Sequence, residues 1–176
     1  MDKRFPLEDQ IDMLASSPKG RVIAPLHTDY DALRAVPLGN FDHRPAAVIR
    51  VANAADVAAT LNFARATGLA VAVRSGGHSI GGHSGCDGGL VIDLRDLNSL
   101  EIDHDELTAW AGTGLTAGEV TRTLEQHKLI IGFGDAATVG IGGLTLGGGV
   151  GYLAIFEAPK QRPAPEEIKT CDDPTS

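Results

Sequence analysis

The spacing of apolar residues predicts a strand–helix–strand unit in the first half of the chain. Ala47 to Val51 form a run of residues that favour strands, and Leu69 to Val73 form a second, apolar one. Between them Val57, Leu61 and Ala64 recur at helical spacing. Such a unit normally makes a parallel crossover within one sheet.

Signals at the helix ends support this reading. Asn53 is a favourable N-cap, Asp56 lies where a negative charge suits the helix dipole, and Gly68 is placed to end the helix. A second helix is predicted further along the chain, because Thr116 and Glu119 have the spacing of a capping box.

The remaining pattern predicts short elements. Short helices are expected at 6–17 and at 29–35, the latter capped by Thr28, and a short buried run at 129–131. Further strands are expected at 21–24, 90–94, 99–102 and 107–111, with Trp110 packed in a sheet or core. Patterning changes from helical to alternating after Leu90, which predicts an α+β fold: a small parallel unit joined to mainly antiparallel strands.

Composition narrows the class of protein. The chain has 176 residues, a net charge of −8 and a pI near 5.1, so we expect no nucleic-acid partner. It has no apolar run long enough for a membrane span and no secretory leader pattern, so we expect no membrane partner. The two cysteines imply no disulfide framework, and a cytoplasmic location is expected.

The same reading divides the chain into three parts. We expect an N-terminal helical segment at 1–20 and a domain at 21–153. Residues 154–176 are rich in proline and acidic residues without hydrophobic periodicity, so this tail is expected to be disordered.

Two glycine-rich segments are the main candidates for chemistry. The first begins at Arg74 and contains His78 and His83; the second runs from Val139 to Gly151. Glycine lets backbone N–H groups approach phosphate oxygens closely. Neither segment is a typical nucleotide motif, since the first leads into a strand rather than a helix and neither contains the lysine of a P-loop.

Alternatives to a cofactor site follow from the same residues. The first segment could be an ordinary loop, or a metal site built on His78 and His83 with Asp87. Asp93, which ends an apolar run, is expected to tether a loop by a hydrogen bond.

The order of these segments resembles a known family. The motifs are Arg21-Val22-Ile23, Arg44-Pro45-Ala46-Ala47, Val73-Arg74-Ser75-Gly76-Gly77-His78, Asp87-Gly88-Gly89-Leu90-Val91-Ile92-Asp93-Leu94, and the stretch from Val139 to Gly151. Together they resemble FAD-linked oxidases of the vanillyl-alcohol-oxidase superfamily, whose FAD-binding domain is called PCMH-type. Within it the chain is similar to the berberine-bridge-like and 6-hydroxy-D-nicotine oxidase group.

The resemblance implies roles for particular residues. His78 matches the histidine that carries flavin covalently, and Arg74 to Gly77 match the pyrophosphate-binding turn. Ala136 stands where some members have a second, cysteinyl flavin link, so only a single link is expected. The implied cofactor-binding residues are Arg74, Ser75, Gly76, Gly77, His78, Ser79, His83, Ser84, Thr138, Gly140, Gly142 and Gly143, with no catalytic residue and no metal ligand assigned.

The implied function is FAD-dependent oxidation of a C–H bond beside an amine or hydroxyl of a small-molecule substrate. The first alternative function is that of a non-catalytic flavin-binding remnant, and the second is that of a metal-binding module. The chain leaves the family pattern after Leu153, so the C-terminal part of the FAD-binding domain is expected to be missing. Self-association through an exposed sheet edge is expected to follow.

Overall fold

The fold is the predicted α+β type. A computed structural model describes residues 6–15, 19–37, 39, 41–149 and 151. Its helices are α1 (Leu7–Ala15), α2 (Tyr30–Arg34), α3 (Ala54–Thr67), α4 (Ala117–Gln126) and α5 (Ile141–Gly147). Its strands are β1 (Arg21–Ile23), β2 (Ala47–Arg50), β3 (Val71–Arg74), β4 (Leu90–Asp93), β5 (Leu100–Asp103) and β6 (Thr108–Ala111). The expected tail at 154–176 lies outside the described residues.

The main sheet is mixed and has the strand order β1-β2-β4-β3. Strand β4 is parallel to both β2 and β3, while β1 is antiparallel to β2. The strand–helix–strand prediction is thus correct in direction, but β2 and β3 are not neighbours, because β4 lies between them. All four residues of β4 are buried, which is the environment of a central strand.

Two apolar clusters cover the two faces of this sheet. One contains Ile49 and Ile92 and packs against Phe63 of α3; the other contains Val48 and Val91 and packs against Tyr30 of α2. Helix α2 begins after Asp29, which makes no side-chain cap, so the cap expected at Thr28 is wrong.

The predicted ends of α3 are confirmed. Asn53 Oδ1 accepts a hydrogen bond from the Asp56 N–H at 3.0 Å, and Gly68 ends the helix with φ +76°. Asp56 has a second role that the pattern did not show. Its carboxylate accepts hydrogen bonds from the backbone N–H groups of Lys19, Gly20 and Ala52, at 2.8 to 3.0 Å.

A second, two-stranded sheet pairs β5 with β6 in antiparallel fashion. Leu100 and Ile102 of β5 pack toward α4, which begins at the predicted capping box of Thr116 and Glu119. Two expectations fail here. Trp110 is 81% exposed, since every residue of β6 faces solvent, and Ile130 in the expected buried run at 129–131 is 80% exposed.

No helix among the described residues is both long and apolar enough to cross a bilayer.

Candidate functional site

The two glycine-rich segments form the walls of one open groove. Its volume is about 590 Å³. One wall comes from the loop after β3 and the other from α5 and the residues on either side of it. The lining residues are Val73, Ser75, Gly76, Gly77, His78, Ser79, Ile80, His83, Ser84, Val139, Gly140, Gly143, Leu144, Gly147 and Gly149.

The walls meet where Gly76 crosses Gly140. A Cβ on Gly76 would lie 2.1 Å from the Gly140 nitrogen, and a Cβ on Gly140 would lie 2.1 Å from the Gly76 nitrogen. Neither position has room for a side chain, so the close approach of the two backbones requires glycine at both.

Hydrogen bonds reinforce this crossing on either side. The Ser75 hydroxyl donates to the Thr113 carbonyl at 2.6 Å. On the groove side, Thr138 Oγ1 lies 2.9 Å from Nε2 of His78. His78 is half-buried in the groove wall, and this contact fixes the direction of its imidazole.

Unused backbone donors point to an anion. Gly76 and Gly77 are buried, yet none of the hydrogen bonds found in the described part of the chain is donated by the N–H groups of Gly76, Gly77 or His78. Gly77 has φ +78°, a left-handed conformation that turns successive N–H groups to one side. Buried N–H groups are nearly always paired in folded proteins, so this turn suits a ligand with acceptor oxygens.

Arg74 lies at the start of this turn, but its side chain does not enter the groove. The guanidinium points to the opposite side of the sheet, where it donates to Asp93 Oδ2 at 2.8 Å. The sequence therefore predicts the position of the turn, but it gives no indication of the direction in which the Arg74 side chain points. Asp93 tethers a loop as expected, since its Oδ1 accepts the Arg95 N–H at 3.0 Å.

The other candidate residues divide between the groove and its surroundings. Ser79, His83, Ser84, Gly140 and Gly143 line the groove. Thr138 and Gly142 do not line it. Thr138 contacts His78, and Gly142 packs close to Thr113.

The metal alternative finds no support in the described residues, which contain no cluster of three or more histidine, cysteine or acidic side chains able to hold a metal ion. Asp87 is engaged elsewhere. It accepts the Arg44 N–H at 2.7 Å and contacts His43 at 3.2 Å, and these two interactions lower the pKa of its carboxyl.

Sequence reasoning missed the apolar part of the groove. Val73, Ile80 and Leu144 line it, and Ile80 is 87% exposed. Residues 141–147 lie in the second glycine-rich segment, where the sequence pattern predicts no helix, but they form α5, whose first N–H donates to the Leu115 carbonyl at 2.9 Å. The signal that could have found this wall is the apolar pair Ile141 and Leu144 at helical spacing.

Comparison with known proteins identifies the domain. A family model described as an FAD binding domain matches residues 45–159, which is more than half of the chain. The chain belongs to this FAD-binding family. The match includes both glycine-rich segments and extends past residue 153, where the sequence resemblance was expected to end.

Two curated relatives place the FAD-binding domain within the group recognised from its motifs. It is 38% identical over 135 residues to (R)-6-hydroxynicotine oxidase of Paenarthrobacter nicotinovorans, covering 77% of this chain and 30% of that protein. It is 38% identical over 115 residues to berberine bridge enzyme-like 27 of Arabidopsis thaliana, covering 62% and 22%. The chain therefore spans less than a third of the length of either relative.

A solved structure agrees with the fold. Glucooligosaccharide oxidase from Acremonium strictum superposes with a TM-score of 0.74 at 26% identity, covering 82% of this chain and 31% of the other. The FAD of that enzyme is described as 6-S-cysteinyl, 8α-N1-histidyl. This chain is thus the FAD-binding portion of a protein of the FAD-linked oxidoreductase family.

The residues present in the groove fit FAD. The N–H groups at Gly76 to His78, which have no acceptor among the described residues, suit a diphosphate, and the apolar side chains of Val73, Ile80 and Leu144 suit a planar ring system. Gly143 and Gly147 line the groove without a side chain. A Cβ at either would project into open space, with nothing within 4 Å.

Proposed function

We propose that this chain supplies the cofactor-holding half of an FAD-dependent oxidase site. The observation that carries the proposal is the set of N–H groups at Gly76, Gly77 and His78, which donate to no atom of the described residues and lie in a turn held against Gly140. These donors bind the diphosphate oxygens of FAD, and the wall around α5 covers the other side of the cofactor.

His78 is the attachment residue in this proposal. Its imidazole lines the groove, and its Nε2 is engaged by Thr138, which leaves Nδ1 to face the cofactor. The histidyl-linked FAD of glucooligosaccharide oxidase supports the assignment. Ala136 has no nucleophilic atom, so a second link at that position is not formed.

The reaction class follows from the cofactor. Bound FAD supplies a hydride acceptor for oxidation of a C–H bond beside an amine or hydroxyl of a small molecule. The described residues bind and orient; we assign no catalytic base among them. Reversible flavin binding without turnover is the alternative for this chain.

The attachment residue can be tested with a reactive cofactor analogue. An FAD analogue that carries a halide on its 8α carbon forms a bond between that carbon and an imidazole nitrogen, while halide and a proton leave. We expect a single flavin-sized mass increase that maps to the His78 peptide, and none in His78→Ala.

His83→Ala is the matched control, because His83 is the other histidine that lines the groove. It should be labelled as the wild type is. Labelling that persists in His78→Ala would refute the attachment residue. A wild-type chain that neither quenches FAD fluorescence nor is labelled would refute FAD binding as a whole.

A further inference from the structure

Arg74 forms a buried ion pair at the end of the main sheet. Its Nη2 donates to Asp93 Oδ2 at 2.8 Å, and only 6% and 4% of the two side chains are exposed. Arg74 ends β3, Asp93 ends β4, and the two residues are partners in the parallel register. The pair therefore joins the carboxyl ends of two neighbouring strands.

The same guanidinium also holds the end of α2. Nη1 donates to the carbonyls of Arg34 at 3.2 Å and Ala35 at 3.4 Å, and Nη2 donates to that of Leu33. Carbonyls at the end of a helix lack partners within the helix, and a cation there is favourable. Four acceptors, one carboxylate oxygen and three carbonyl oxygens, thus accept hydrogen bonds from the two Nη groups of Arg74.

The loop that follows is packed on this arginine. A Cβ on Gly77 would lie 3.1 Å from Cδ of Pro37 and 3.5 Å from Cδ of Arg74. Gly77 is the left-handed residue of the turn, and Gly76 and His78 flank it. The aliphatic part of the Arg74 side chain and the ring of Pro37 therefore pack against the turn that carries these N–H groups.

We infer that Arg74 is a positioning residue for the cofactor site: fixed by Asp93 and the end of α2, it holds the N–H groups of Gly76 to His78 in their anion-binding arrangement without touching the cofactor. The inference rests on the proposed function. The rival reading is that Arg74 binds the diphosphate directly through its charge.

The two readings predict opposite results for Asp93→Asn. If Arg74 were a direct ligand, loss of the competing carboxylate would leave FAD affinity unchanged or increase it. If Arg74 is a positioning residue, Asp93→Asn releases the guanidinium and FAD binds more weakly. Arg74→Lys keeps the charge but cannot reach four acceptors, so positioning predicts a loss there too.

The first measurement is FAD affinity by quenching of flavin fluorescence, at a temperature below the unfolding midpoint of each variant. If the turn holds its anion-binding arrangement about one-tenth of the time in either variant, the Kd for FAD rises about tenfold. Combining Asp93→Asn with Arg74→Lys should add little to either single change, because both remove the same interaction.

The matched control is Asp96→Asn. Arg50 pairs with Asp96 at the same edge of the sheet, and Arg50 ends β2 in register with Asp93. Among the described residues, no hydrogen bond or ion pair joins Arg50 or Asp96 to the turn. Asp96→Asn should therefore leave the Kd for FAD within about twofold of the wild type, as expected for a site without shared partners.

Backbone NMR order parameters of the cofactor-free chain separate this inference from the proposed function. Asp93→Asn should lower the order parameters of Gly76, Gly77 and His78 while those of α3 stay unchanged. If the wild type binds no FAD but these three residues become more mobile in the variant, the proposed function fails and the positioning role stands. Unchanged order parameters, or unchanged FAD affinity in a chain that binds FAD, would overturn the role of Arg74.

Discussion

Thr138 Oγ1 lies 2.9 Å from Nε2 of His78, although sixty residues separate them in sequence. The contact joins the two walls of the groove at the residue proposed to hold the cofactor. It occupies one ring nitrogen and leaves the other free, so the orientation of the imidazole depends on a hydroxyl directly before the second glycine-rich segment.

We expect Thr138→Val to slow labelling of His78 by the 8α-halogenated FAD analogue about fivefold, since a single hydrogen bond contributes about 1 kcal/mol. The rate is measured by mass spectrometry over time at saturating analogue. Thr138→Ser keeps the hydroxyl and should react at the wild-type rate. Equal rates for the valine and serine variants would show that the contact has no effect on the ring.

Gly76→Ala should separate the two walls of the groove. Its Cβ would fall 2.1 Å from the Gly140 nitrogen, and a backbone atom cannot move aside as a flexible side chain can. We expect a loss of about 1–3 kcal/mol in the free energy of unfolding, measured by urea titration.

Gly143→Ala serves as the control for this change. It lies in α5, and its Cβ would meet nothing within 4 Å. Because alanine has a higher helix propensity than glycine, stability should be unchanged or rise by up to about 1 kcal/mol. Comparable destabilisation by both substitutions would contradict the close approach of Gly76 and Gly140.

Asp56 should make the stability of the chain depend on acid pH. Burial acts to raise the pKa of its carboxyl, but hydrogen bonds from the N–H groups of Ala52, Lys19 and Gly20 outweigh burial, and the pKa is lowered. The unfolded chain then binds the proton more readily than the folded chain does. Stability from Asp56 is therefore present above about pH 4, the ordinary range for aspartate, and is lost as pH falls through the folded pKa.

Urea titrations between about pH 3 and pH 6, roughly the range in which carboxyl groups titrate, test this. The free energy of unfolding should fall toward the acid end in the wild type and change less steeply in Asp56→Asn. Parallel pH profiles for the wild type and Asp56→Asn would contradict the prediction.

Trp110 is the single tryptophan of the sequence and stands exposed on β6. Its fluorescence should be quenched by iodide nearly as efficiently as that of a free indole. Trp110→Thr should change the free energy of unfolding by less than about 0.5 kcal/mol, as is usual at exposed positions. Strong protection from iodide would mean that the residue is packed, as its sequence context first indicated.

Features fixed by neighbouring residues could be predicted from the sequence. The caps at Asn53 and Gly68 and the capping box of Thr116 depend on a few adjacent positions, and the structure has all three. The same holds for the turn after Arg74, because its glycines mark a place where the backbone needs unusual freedom.

Features decided by distant contacts could not be predicted. Trp110 sits in a β-rich run, but whether that run is covered depends on what packs against β6. Helix α5 contains several glycines, which disfavour helix, and it is anchored through Ile141 by contacts with Leu115. The direction of the Arg74 side chain depends on Asp93 in another strand.

Strand β4 is last of the three parallel strands in sequence and central among them in space. The sheet therefore cannot be completed until the chain has passed through the glycine-rich loop and returned between β2 and β3. Pairings that bring together distant parts of a chain form slowly, because loop closure comes before any gain from contact. We therefore expect the turn proposed to bind the cofactor to become ordered together with the sheet, so that a ligand of this turn would favour chains whose sheet is complete.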